Sequence, residues 1–159
     1  MRVFIILLVT AFPLLVHASI EKSDSIADDG SNVFYQNKNV KDCLKTSSIL
    51  SVVQSCMLQT AEETKNDYEK EYSAFLKKIK NTPKDDFYLL NYNDFLSSIT
   101  TEKMQWDNYI KAKCLARAYL STKGSYDFYI VKGACLTYEY SERASYYIHY
   151  QKLKDLASE

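Results

Sequence analysis

Apolar residues recur along residues 47–81 at spacings of three, four or seven, which places them on one stripe of an α-helix. The charged residues between them form a solvated face. Asn81, Thr82 and Pro83 end this first helix, because proline donates no backbone hydrogen bond and restricts the residue before it. The stripe consists of Val53, Met57, Ala61, Tyr68, Tyr72, Phe75 and Ile79.

Two more helices follow from the same pattern. The second begins near Asn91 or Asn93 and ends near Gly124, and the third runs from about Asp127 to Leu156. Gly133 inside the third helix costs up to ~1 kcal/mol relative to alanine, which indicates a close helix contact at that point. Since no segment alternates with period two, the sequence predicts an all-α, disulfide-stapled antiparallel bundle of three main helices.

The N-terminus predicts export. Arg2, an apolar run over residues 3–16 and small or apolar residues around Ala18 form the three-part pattern of a signal peptide, cleaved after residue 18. Residues 19–40 are polar and predict a flexible leader, whose later part contacts the domain through Phe34 and Tyr35. The domain itself is assigned to residues 41–159. No other long apolar run follows, so no stable membrane insertion is expected after cleavage.

Four cysteines, an even number in an exported chain, predict two disulfides. Cys114 and Cys135 flank the predicted turn at Gly124 almost symmetrically, so they should face each other across the hairpin. That favours Cys114 with Cys135 and leaves Cys43 with Cys56. Four cysteines allow three pairings, and the spacing alone leaves the choice open.

Composition narrows the chemistry. The chain has 20 basic and 20 acidic residues, so there is no basic surface that would predict nucleic-acid binding. His149 is the only histidine beyond residue 18, and no metal, cofactor or nucleophile motif occurs, so we expect neither a cofactor nor enzymatic activity. A carboxylate-dependent hydrolase is a less favoured alternative, with Glu62–Glu63 or Asp85–Asp86 as its pairs.

Tyrosine is unusually frequent, with 14 residues in the chain. Several of them fall on different faces of the third helix, so some must be exposed, and exposed tyrosines are common at protein interfaces. Simple packing within the bundle is the alternative. These tyrosines are Tyr138, Tyr140, Tyr146, Tyr147 and Tyr150.

The cysteine-centred segments resemble the LprI-type lysozyme-inhibitor family. The resemblance covers roughly residues 43–150 and rests on the four cysteines and on Tyr68, Tyr72, Trp106, Tyr109, Gly124, Ser125, Leu136 and Arg143. The chain departs from the family where an Arg-Asp pair usually follows the tyrosine, since Ile110 and Lys111 stand there. It also has Tyr68 and Glu69 in place of a Leu-Asn pair, and Tyr140 in place of a threonine.

The resemblance implies an exported bacterial protein of the periplasm or cell envelope, or a secreted one. Such a protein would bind another protein and could inhibit lysozyme by covering its cleft. The alternative is a periplasmic structural or adaptor module without lysozyme activity. Asp24–Asp29 and Asp85–Asp86 are the local acidic segments that could meet a basic enzyme.

Overall fold

The computed structural model describes residues 33–82 and 92–156, with side chains up to residue 150. A short 3-10 helix, Val33–Gln36, precedes four α-helices: α1 (Lys38–Lys45), α2 (Leu50–Asn81), α3 (Tyr92–Ala118) and α4 (Tyr126–Leu156). These described ranges contain no strand, and the predicted all-α bundle is confirmed. The predicted signal peptide, most of the leader and Asp85–Asp86 lie outside the described residues.

The three long helices occupy the positions that the apolar pattern predicts. The N–H of Thr82 bonds to the carbonyl of Ile79 at the end of α2, just before Pro83. Gly124 has a φ of 83° in the turn between α3 and α4, a conformation that L side chains rarely adopt. Ser125 caps α4, because its Oγ accepts a hydrogen bond from the N–H of Phe128 at 3.2 Å.

The short helix α1 was not predicted. Asn37 caps it by accepting a hydrogen bond from the N–H of Asn39 at 2.9 Å, and Val40 and Cys43 are buried against the bundle. Phe34 is also buried, packed edge-on against Tyr138. Phe34 and Tyr35 therefore contact the bundle, as the sequence predicts for the later part of the leader. Eight residues give too few helical turns for a readable apolar period.

Helix α2 packs most extensively on α4, and α3 packs on α4 as well. Met57 meets Gly133 near the start of both α2 and α4, and Phe75 meets Tyr150 farther along, so these two helices run in the same direction. Helix α3 runs the opposite way. A Cβ added at Gly133 would lie 3.0 Å from both the Cβ and the carbonyl oxygen of Met57, so the predicted close contact is present.

Two disulfides close the domain. Cys43 is joined to Cys56, with the Cα atoms 5.6 Å apart, and Cys114 to Cys135, with the Cα atoms 5.5 Å apart. These are the pairs that the sequence favoured, and both lie towards the same end of the bundle. Closed disulfides are typical of proteins that fold in an oxidising compartment. Within the described ranges, no helix combines the length and apolar character that crossing a membrane requires.

Candidate functional site

Arg143 on α4 is held by three aromatic rings. Its guanidinium carbon lies 4.8 Å from the ring centroid of Tyr146, 5.1 Å from that of Tyr147 and 5.3 Å from that of Trp106. Its Nε donates a hydrogen bond to the Tyr147 hydroxyl at 3.3 Å, and a terminal nitrogen pairs with the carboxylate of Glu102 on α3. Stacking and charge pairing together fix the guanidinium in one place.

Next to Arg143 lies a cavity of about 330 Å³, which we call the aromatic groove. It falls within the size range of small-ligand and side-chain pockets. Its described wall contains the polar residues Ser98, Glu102 and Arg143, and the other wall residues are aromatic or aliphatic: Phe75, Phe95, Ile99, Tyr146, Tyr147 and Tyr150.

The rim of the aromatic groove is accessible from solvent. Tyr146 is 50% exposed and Tyr150 is also exposed, whereas Tyr147 between them is buried. The Glu102 side chain keeps 50% of its surface exposed while it pairs with Arg143, and a carboxylate can accept from more than one donor. Among the described wall residues the charges of Glu102 and Arg143 cancel, so the exposed aromatic rings are the main feature that the rim offers to a guest.

A partly buried polar network joins α2 to α3. The hydroxyl of Tyr68 donates to Asp107 at 2.9 Å, and the ammonium of Lys103 bonds to Asp107 at 2.7 Å and to Glu69 at 3.0 Å. The same ammonium lies 5.0 Å from the centre of the Tyr68 ring. Because every charge in the network is paired, it fixes the position of α3 on α2.

Several tyrosines in this core resist ionisation. Burial, followed by the hydrogen bond and charge of Asp107, raises the pKa of Tyr68 far above its ordinary value of 10.0. Burial and the nearby charge of Asp107 raise the pKa of Tyr140 to about 12, and burial raises the pKa of Tyr147. Each of these phenols is therefore held neutral by the folded state.

We expect the protein to lose stability steeply above pH 10. An unfolded tyrosine releases its proton near pH 10. The folded state keeps it longer, so each such group stabilises the fold fully below about pH 10 and progressively less as the pH rises towards the folded pKa. The loss is ~1.4 kcal/mol per pH unit for each group. Urea unfolding at a series of pH values measures it.

The control for this prediction is Tyr68→Phe, which removes one titrating group. Above pH 10, the free energy of unfolding of this variant should decrease less steeply with pH than that of the unmodified protein. The two slopes should differ by ~1.4 kcal/mol per pH unit. A free energy of unfolding that stays constant between about pH 9 and pH 11 would contradict the assignment.

A second cavity, of about 440 Å³, lies between α2, α3 and α4 towards the disulfide end. We call it the lysine groove, because Lys65, Lys111 and Lys132 stand around it. Glu62 is the acidic residue in its lining, paired with Lys65 at 3.4 Å. Tyr140 lines it from α4, and its apolar lining is completed by Leu58, Ala61, Leu115 and Leu136.

The residues that carry the family resemblance separate into three groups. The guanidinium carbon of Arg143 lies 5.3 Å from the ring centroid of Trp106. Tyr72 is close to this pair, because its ring centroid lies 5.4 Å from that of Tyr147, which Arg143 also contacts. Tyr109 is exposed on α3, close to the ammonium of Lys113. Gly124 and Ser125 form the turn before α4, at the disulfide end.

The departures from the family pattern have visible consequences. Ile110 is fully buried, so an apolar side chain packs where the family has a charged residue, while Lys111 stands at the lysine groove. The buried cluster that contains Ile110, which we call the aromatic core, also includes Tyr68, Tyr72, Phe75, Ile79, Tyr140, Ala144 and Tyr147. Glu62 and Glu63 are exposed and bond to Lys65 and Gln59 on their own helix. Those bonds are typical of a solvated helix face.

The sequence analysis did not identify Glu102, Phe95 and Ile99 as parts of one groove. It also did not identify the ion pair between Lys103 and Asp107. The i,i+4 spacing of Lys103 and Asp107 was the available signal, although such spacing is common on exposed helix faces. His149 is exposed on α4, and the described residues contain no group of three or more His, Cys, Asp or Glu side chains placed to hold a metal.

The chain matches no protein-family model, and comparison with curated proteins and with solved structures gave no match.

Proposed function

We propose that this chain is an exported, non-enzymatic binding module that recognises another protein through the aromatic groove. The observation that carries the proposal is the exposed aromatic rim of Tyr146 and Tyr150 beside the half-exposed carboxylate of Glu102. Large aromatic side chains at a concave site are the usual anchors of protein interfaces. The guest that we propose is an arginine or lysine side chain of the partner, which would stack on the exposed rings of Tyr146 and Tyr150 and share the half-exposed carboxylate of Glu102 with Arg143.

A basic envelope-degrading enzyme such as lysozyme is the partner that we propose to test first. Its surface carries the cationic side chains that the groove suits, and the resemblance to LprI-type proteins points to the same class. Inhibition would be steric, because a bundle closed by two disulfides forms a rigid body that can cover a substrate cleft. No covalent step is involved.

The arrangement of charges supports binding over catalysis. Hydrolysis of a glycosidic bond by carboxylates requires two of them facing one another across a site. Among the residues that the structure describes, one carboxylate lines the aromatic groove, Glu102, and one lines the lysine groove, Glu62. We therefore favour the binding module over the hydrolase.

A cell-wall lysis assay with the purified disulfide-bonded protein and lysozyme tests the proposal. We expect inhibition at micromolar protein, and Tyr146→Ala should weaken it about tenfold, the effect of losing an interface anchor worth ~1.4 kcal/mol. Tyr126→Ala is the matched control, because Tyr126 is equally exposed on the same helix at the opposite end. It should leave inhibition unchanged.

The outcomes separate the alternatives. Binding to lysozyme without inhibition would favour an adaptor module. If Tyr146→Ala and Tyr126→Ala weaken inhibition equally, the aromatic groove is not the contact face. Absence of both binding and inhibition at about 10 μM would reject lysozyme as the partner.

A further inference from the structure

We propose that the lysine groove binds a single-chain anionic lipid of the fatty-acid class, with its acyl chain on the apolar floor and its carboxylate among the three lysines. This site differs from the aromatic groove in position, charge and ligand class. It does not depend on the proposed function.

The floor of the lysine groove is apolar and open to solvent. Leu58 on α2 and Leu115 on α3 are 38% and 37% exposed, with Ala61 and Leu136 beside them. An acyl chain that covers this floor removes apolar surface from water, which favours binding. The exposed leucines provide the driving force that a purely polar ligand would not use.

The charge around the floor is positive and largely uncompensated. Lys65 pairs with Glu62, but neither Lys111 nor Lys132 forms an ion pair with another described residue. Three ammonium groups and one carboxylate leave a net charge of +2 on the lining residues that the structure describes. Ammonium groups around an apolar trough are complementary to a ligand with an anionic head and an apolar tail.

Tyr140 adds a directional polar group to the groove. It is 3% exposed, and its hydroxyl makes no hydrogen bond to another described residue, although its ring packs against Tyr68 and Trp106. The ring contacts hold Tyr140 in place, and its hydroxyl is available to donate to a ligand in the groove. A carboxylate held at Lys111 and Lys132 could accept a hydrogen bond from it.

Size favours an acyl chain over a protein segment. The cavity of about 440 Å³ matches a small-molecule site. A stable protein interface buries ~800 Å² on each partner, which extends well beyond this groove. The positive rim also repels the basic partner proposed for the aromatic groove, so the two sites would not compete.

Isothermal titration calorimetry with dodecanoate below its micelle-forming concentration tests the proposal. We expect one saturable site on the disulfide-bonded protein. Acetate, which has the head group without the chain, and dodecyltrimethylammonium, which has the chain with the opposite charge, should not bind. The double variant Lys111→Gln with Lys132→Gln should weaken dodecanoate binding about tenfold.

Two further variants keep the test specific. Lys77→Gln with Lys123→Gln removes two exposed lysines outside the groove and should leave the affinity unchanged. Leu115→Glu places a carboxylate on an exposed part of the floor and should abolish binding without unfolding the protein. Circular dichroism checks the fold of each variant.

Three results would overturn the proposal. One is dodecanoate affinity that the Lys111 and Lys132 substitutions leave unchanged. Another is equal binding of dodecyltrimethylammonium, which would indicate non-specific detergent adsorption. The third is the absence of dodecanoate binding. If an acidic polyglutamate peptide binds under the same conditions, the groove is a protein-docking site instead.

Discussion

Replacing Cys114 and Cys135 together by alanine is expected to lower the free energy of unfolding by about 3–5 kcal/mol. The bridge closes a chain segment with a sequence separation of 21 residues, and restricting the unfolded chain over such a loop contributes ~3 kcal/mol. Both cysteines are fully buried, so the lost sulfur contacts add to the effect. Urea unfolding of the purified variant measures the change.

The remaining bridge supplies the control for this experiment. The double variant keeps Cys43 joined to Cys56, so a reducing agent should destabilise this variant further. The same reducing agent should destabilise the unmodified protein more strongly, because two bridges are then broken. An unfolding midpoint that the alanine substitutions leave unchanged would contradict the assigned bridge. Peptide mapping that finds Cys114 linked to Cys43 or Cys56 would also contradict it.

Truncation of Tyr147 to alanine is the second large effect, with an expected loss of about 3–5 kcal/mol. Tyr147 is 1% exposed, and its ring contacts three rings of α2 at centroid distances between 5.1 and 6.1 Å: Phe75, Tyr72 and Tyr68. Removing it leaves a cavity in the centre of the aromatic core and removes the hydrogen-bond partner of the Arg143 Nε.

Tyr146→Ala is the matched control in the same unfolding experiment. Tyr146 precedes Tyr147 and is half exposed, so its truncation should cost less than about 1 kcal/mol. Tyr147→Phe should cost about 1 kcal/mol, because it removes the hydroxyl alone. A Tyr147→Ala variant no less stable than Tyr146→Ala would show that the ring does not support the core. The same comparison confirms that a binding defect of Tyr146→Ala is not caused by unfolding.

The contacts of the candidate site could not be predicted from the sequence, because its residues come from different helices. Trp106 and Arg143 were singled out separately, through the family resemblance, and the structure brings them into contact. Glu102 was not singled out, because nothing near it in the sequence distinguishes it from other surface glutamates. The residue that pairs with Arg143 comes from a different helix and is fixed only when α3 settles against α4.

The sequence by itself determined the three long helices, their approximate ends and the close contact at Gly133, and it favoured the cysteine pairs that the structure contains. These follow from local rules: the 3.6-residue period, the turn at Gly124 and the chain distance between cysteines. Only the tertiary structure decided the rest, including the packing of α1, the network around Lys103 and the two grooves. Those features depend on the rotation and register of whole helices, which many weak packing contacts set jointly and which no local pattern records.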